Sequence, residues 1–77
     1  MRDADRLVAL VAEALQLPAG SLGPDSTSAE LDEWDSLGHL QILMRVEDEF
    51  GISVDMEAAG ELASISELLG YVERKRR

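Results

Sequence analysis

Asp35-Ser36-Leu37-Gly38-His39-Leu40-Gln41-Ile42-Leu43-Met44-Arg45-Val46-Glu47-Asp48-Glu49-Phe50-Gly51 reads as one amphipathic helix with both of its ends marked. Leu37, Leu40, Leu43, Met44, Val46 and Phe50 recur at helical spacing and predict one buried stripe. Asp35 stands where an N-cap carboxylate accepts from the first free backbone N–H groups, and Gly51 stands where a helix stops in the left-handed region. The helix therefore runs from about Ser36 to Phe50, with Ser36 in its first turn. There the hydroxyl faces solvent, beside unpartnered N–H groups and the positive end of the helix dipole. A phosphate ester is electrostatically tolerated at such a position, and Leu37 offers an apolar contact to whatever is held beside it. Asp-Ser is also a common capping pair, so the same residues have a purely structural reading.

Outward from this helix the chain is organised as an all-α unit. From Asp3 to Leu17, the residues Leu7, Leu10, Val11, Ala14 and Leu15 recur at spacings of three and four, with Asp3 and Asp5 in the anion-favouring first turn. Pro18 and Gly20 are expected to stop this first helix. Residues 18 to 34 are rich in Pro, Gly, Ser and Thr, with Leu22 and Leu31 as apolar anchors; so long a connection is expected to pack across the helix ends. Beyond Gly51, residues 52 to 55 read as extended, with Ile52 and Val54 on one side, and a short helical turn is expected around Met56 to Leu62, weakened by Gly60. Ser64-Ile65-Ser66-Glu67 matches a capping box, and Ile65, Leu68, Leu69 and Val72 line one side of a last helix ending near Arg74. The predicted fold is a four-helix bundle of up-and-down type, three main helices and one short one, in a single domain over residues 1 to 77, with a frayed basic tail at 74 to 77.

Composition and charge narrow the function. Seventy-seven residues support one modest core rather than a deep substrate cleft. Trp34, Phe50 and Tyr71 are the only aromatic residues, so the core is aliphatic, which favours helix packing. There is no cysteine, hence no disulfide, thiolate metal site or thiol nucleophile. No apolar run approaches a membrane span and no signal-peptide pattern opens the chain; the cytoplasm is the expected location. All sixteen acidic residues precede Arg74, whereas four of the seven basic ones are Arg74 to Arg77, leaving residues 1 to 73 with a net charge of −13. Such a field disfavours nucleic acid and anionic lipid and steers encounters with basic protein surfaces.

The acidic segment admits further readings. His39 lies three residues after Ser36 and shares its helix face, but the chain lacks a nucleophile elbow and oxyanion donors, so hydrolysis is not expected. Asp32, Glu33 and Asp35 lack the spacing of a calcium loop, so no metal site is expected, and Trp34 among them is expected to anchor the loop or staple the helix start. An unmodified acidic bundle binding a basic partner through the second helix is the alternative to a modified serine, with a phosphorylation switch at Ser36 a third reading.

Leu31-Asp32-Glu33-Trp34-Asp35-Ser36-Leu37-Gly38-His39-Leu40, then Glu47-Asp48-Glu49-Phe50-Gly51-Ile52, then Ile65-Ser66-Glu67-Leu68-Leu69-Gly70-Tyr71-Val72, resemble an acyl carrier protein over nearly the whole chain. The resemblance implies an acyl-carrier-like fold and a non-catalytic carrier. Ser36 would bear phosphopantetheine, transferred from coenzyme A by a phosphopantetheinyl transferase, with Asp35 and Leu37 beside it. The arm's terminal thiol would hold acyl groups as thioesters. It also implies partner contacts at Asp35, Leu37, Gln41, Met44, Arg45, Glu47 and Asp48, meeting loading, condensing or tailoring enzymes with basic docking surfaces. Ile52, Leu62 and Ile65 become candidates to line a cleft for the tethered chain. Gly38 and Gln41 stand where carriers of fatty-acid synthesis usually have acidic residues, and Arg45 where they have a small neutral one. These departures point to a specialised pathway such as polyketide or nonribosomal peptide assembly, served by a free-standing monomeric carrier.

Overall fold

The computed structural model describes residues 3–18 and 20–76, which form four helices and one antiparallel bridge. Helix α1, Asp3–Ala14, carries Asp3 and Asp5 in its first turn and buries Leu7, Leu10, Val11, Ala12 and Ala14. It stops before Pro18. Gln16 adopts the left-handed conformation, φ 59°, while its N–H bonds to Glu13 O at 3.1 Å and the Leu17 N–H reaches back to Ala12 O at 2.8 Å. This paired closure is a Schellman cap, built here on a glutamine rather than a glycine, and it ends α1 three residues short of the expected Leu17.

The long connection packs as expected across the helix ends. Leu22 is buried, and a 3-10 turn spans Ser28–Glu30. Thr27 pairs with Ser64, and the ladder is completed by Ser28 N–H to Ala63 O at 2.8 Å and Ile65 N–H to Ser26 O at 3.1 Å. The loop is thereby tied to the start of the last helix.

Helix α2, Ser36–Phe50, has the predicted bounds. Asp35 Oδ1 accepts from the Gly38 N–H at 2.8 Å, and Gly51, φ 65°, closes the other end with its N–H on Glu47 O at 2.9 Å. Its buried face differs from the expected stripe. Gly38, Ile42, Leu43, Val46 and Phe50 face inward, whereas Leu37, Leu40 and Met44 are 64%, 49% and 57% exposed. The physical reason sits at Gly38. A Cβ there would lie 2.6 Å from the Glu33 carbonyl oxygen and 2.7 Å from a methyl of Leu15, so the Gly38 side of the helix is pressed against the loop and the end of α1. With apolar residues on two sides of α2, the close backbone approach decides which side goes in.

Residues 52 to 55 belong to no helix, Asp55 is extended, and Ile52 and Val54 pack on the core. Helix α3, Met56–Ala59, is a single turn, shorter than expected; past it, Gly60 and Glu61 form a turn and Leu62 is buried. Helix α4, Ile65–Lys75, starts at the Ser64 cap, whose hydroxyl oxygen accepts from the Glu67 N–H at 3.1 Å. The core is made where α1, α2 and α4 meet, at the fully buried Leu7, Val11, Ile42, Val46, Ile65, Leu68 and Val72.

Where fraying was expected, Arg74 and Lys75 continue α4, and Arg76 Nη1 bonds to Asp3 Oδ2 at 2.8 Å, joining the helix end to the start of α1; Arg77 lies outside the described residues. No helix among the described residues is long and apolar enough to cross a membrane.

Candidate functional site

Ser36 is the first residue of α2 and is exposed. The Asp35 cap takes the Gly38 N–H and the Asp35 carbonyl takes the His39 N–H at 2.8 Å, so the N–H groups of Ser36 and Leu37 remain as donors at the positive end of the helix. The site therefore offers a solvent-facing hydroxyl next to backbone donors, which suits a phosphodiester on that oxygen. A cavity of about 350 Å³ opens beside it, walled by Ser28, Trp34, Asp35, Ser36, His39, Gly60 and Ala63.

Trp34 is buried, as an anchor of the loop should be, and its indole Nε1–H donates to His39 Nδ1 at 2.9 Å. The other ring nitrogen, Nε2, lies 2.7 Å from the Ala59 carbonyl at the end of α3. Both nitrogens of His39 are thus engaged away from Ser36. The serine has no histidine base, and the arrangement does not constitute a nucleophilic pair. Sequence periodicity gives no sign of this relay, because Ala59 lies 20 residues away and contributes only a backbone carbonyl.

The proposed partner residues fall into two groups. Asp35, the cap of α2, and Leu37, Gln41, Met44, Arg45 and Asp48 on the helix are exposed, and Leu40, expected in the core, joins them. Glu47 is turned inward along the surface: its Oε2 accepts the Val54 N–H at 2.8 Å and holds the segment that follows α2. Arg45 bridges to Glu13 of α1 at 3.0 Å, so its charge is partly matched within the molecule.

The expected cleft residues divide as well. Leu62 and Ile65 are buried in the core, Ile52 is half-buried, and none of the three walls the cavity beside Ser36. Among the described residues no group of three or more His, Cys, Asp or Glu is arranged to hold a metal ion.

Comparison with known proteins identifies the family of the chain. A family described as the phosphopantetheine attachment site matches residues 5–72. The chain is 28% identical over 71 residues to an acyl carrier protein of Thermosynechococcus vestitus, covering 92% of this chain and 88% of the relative. It is 24% identical over 76 residues to one of Solidesulfovibrio magneticus, covering 99% and 97%. A mitochondrial acyl carrier protein of Dictyostelium discoideum is 33% identical over 70 residues, covering 91% of this chain and 58% of that one. The solution structure of the holo acyl carrier protein from Geobacter metallireducens shares the fold, with a TM-score of 0.82 at 21% identity over 97% of this chain and 86% of the other. The chain belongs to the phosphopantetheine attachment-site family, that of the acyl carrier proteins, non-catalytic carriers that hold phosphopantetheine covalently.

Proposed function

We propose that Ser36 is the attachment residue and that the protein delivers acyl intermediates to the enzymes of a polyketide, nonribosomal peptide or related assembly pathway. The observation that carries the attachment is the placement of an exposed serine as the first residue of α2, between an engaged Asp35 cap and an exposed Leu37. The phosphopantetheine arm supplies the thiol on which acyl groups are held as thioesters. What the chain supplies is the hydroxyl, two free backbone donors beside it, and a surface for docking. Tethering then gives the cargo a high effective concentration at whichever enzyme is bound.

The docking face is formed by Leu37, Leu40, Gln41, Met44 and Asp48, apolar at its centre and acidic at its margin. Weak, fast and reversible association suits a carrier, and the net charge of −9 favours basic partners. The specialised pathway is supported by the composition of this face. Gly38 faces inward and contributes nothing to it, but Gln41 and Arg45, both exposed, reduce the negative charge along α2.

Incubation with coenzyme A and a phosphopantetheinyl transferase, followed by intact-mass and peptide measurements, tests the attachment. One phosphopantetheine increment on Ser36, absent in Ser36→Ala, is expected. A folded wild-type chain that gains no increment overturns the reading and favours an unmodified acidic docking module. The pathway is tested by assaying the loaded carrier against loading and condensing enzymes encoded beside it; Arg45→Glu is expected to change turnover with the cognate enzyme.

A further inference from the structure

The imidazole of His39 makes two hydrogen bonds of opposite sense. An indole nitrogen can only donate, so Nδ1 accepts from Trp34 at 2.9 Å. The ring proton of the neutral form therefore sits on Nε2, which donates to the Ala59 carbonyl at 2.7 Å. One ring thus joins the residue two before Ser36, the first turn of α2 and the end of α3.

Each attachment answers a local need. Trp34 is buried, and its one polar hydrogen finds its partner in His39. Helix α3 has four residues, too few to sustain itself, and Ala59 O is one of its terminal carbonyls. Among the hydrogen bonds of the described residues, none involves the Ser36 hydroxyl, so the serine is placed by its neighbours rather than by its own side chain.

We propose that His39 is a positioning residue for the modification of Ser36: in its neutral Nε2–H form it holds the Ser36 turn and α3 together as one surface for the modifying enzyme. This rests on Ser36 being the attachment residue.

The test is transferase kinetics on the full chain with coenzyme A, for wild type, His39→Leu and His39→Gln, together with ¹⁵N spectra of the His39 ring. Glutamine can accept from the indole with its carbonyl and donate to Ala59 with its amide, whereas leucine can do neither. His39→Leu, shown folded by circular dichroism, is expected to lose about tenfold in kcat/KM, mostly through a higher KM for the carrier. His39→Gln is expected to stay within about twofold of wild type. The ring spectra should show the Nε2–H tautomer at neutral pH. A folded His39→Leu with wild-type kinetics, a His39→Gln as impaired as His39→Leu, or an Nδ1–H tautomer each overturns the proposal. If His39→Leu does not fold, the glutamine variant and the spectra still decide it. A wild-type chain that is not modified at Ser36 overturns the attachment reading and this inference with it.

Discussion

Gly38 and Gln16 show how single residues set the geometry around Ser36. At Gly38 the nearest atom to an added Cβ is a backbone oxygen at 2.6 Å, which cannot swing aside as a side chain can. Gly38→Ala is therefore expected to cost about 1–3 kcal/mol despite alanine's better helix propensity, measured as a lower urea midpoint. An unchanged midpoint would mean that the loop yields without cost. Gln16 presents the opposite case. Its left-handed φ of 59° strains an L side chain in a position where glycine is at ease. Gln16→Gly should raise stability by about 0.5–1 kcal/mol, a thermal shift of about 2–8 °C, once the greater freedom of glycine in the unfolded chain is deducted.

Among the elements, α2 serves two purposes on two faces. Its inner face, from Gly38 to Phe50, supplies core contacts, while Leu37, Leu40 and Met44 form an apolar line facing solvent. The acidic pair at its end divides in the same way. Glu47 holds the Val54 N–H, whereas Asp48 is exposed. Glu47→Ala is expected to lower stability by about 1 kcal/mol by removing the acceptor of a part-buried N–H. Asp48→Ala should leave stability within about 0.5 kcal/mol and instead weaken docking to a basic partner. Denaturation midpoints and binding constants of the two variants, measured side by side, check this. Equal stability of both would show that the Glu47 contact is not maintained in solution.

Over the whole molecule the charges are sorted by position. Arg6 pairs with Asp3 and Glu49, Arg76 with Asp3, and Lys75 with Asp55, while the Arg6 and Arg76 guanidinium groups lie 4.9 and 5.7 Å from the Phe50 ring centroid. Phe50 ends α2, so this basic cluster lies at the end of that helix opposite Ser36. Among the described residues no ion pair involves Asp32, Glu33 or Asp35, so the Ser36 end stays negative. Association with a basic transferase should accordingly slow with salt, on the order of tenfold from low to high ionic strength, with little change in dissociation. Stopped-flow association rates over a salt series measure this, and a flat series would remove electrostatic steering from the account.

The amino-acid sequence by itself determined the helical class, the limits of α2, the Asp35 and Ser64 caps, the Gly51 stop and the position of Ser36 in a first turn. These follow from periodicity and from residues whose side chains act within four positions along the chain. The tertiary structure alone decided which side of α2 is buried, because apolar residues occupy two sides and the choice depends on a backbone oxygen of Glu33 meeting Gly38. It also decided where α1 stops, since Gln16 carries no sequence mark of a left-handed residue. The Trp34–His39–Ala59 relay belongs to the same class: its last partner is a carbonyl, which every residue has, brought 20 positions back along the chain by the packing of α3.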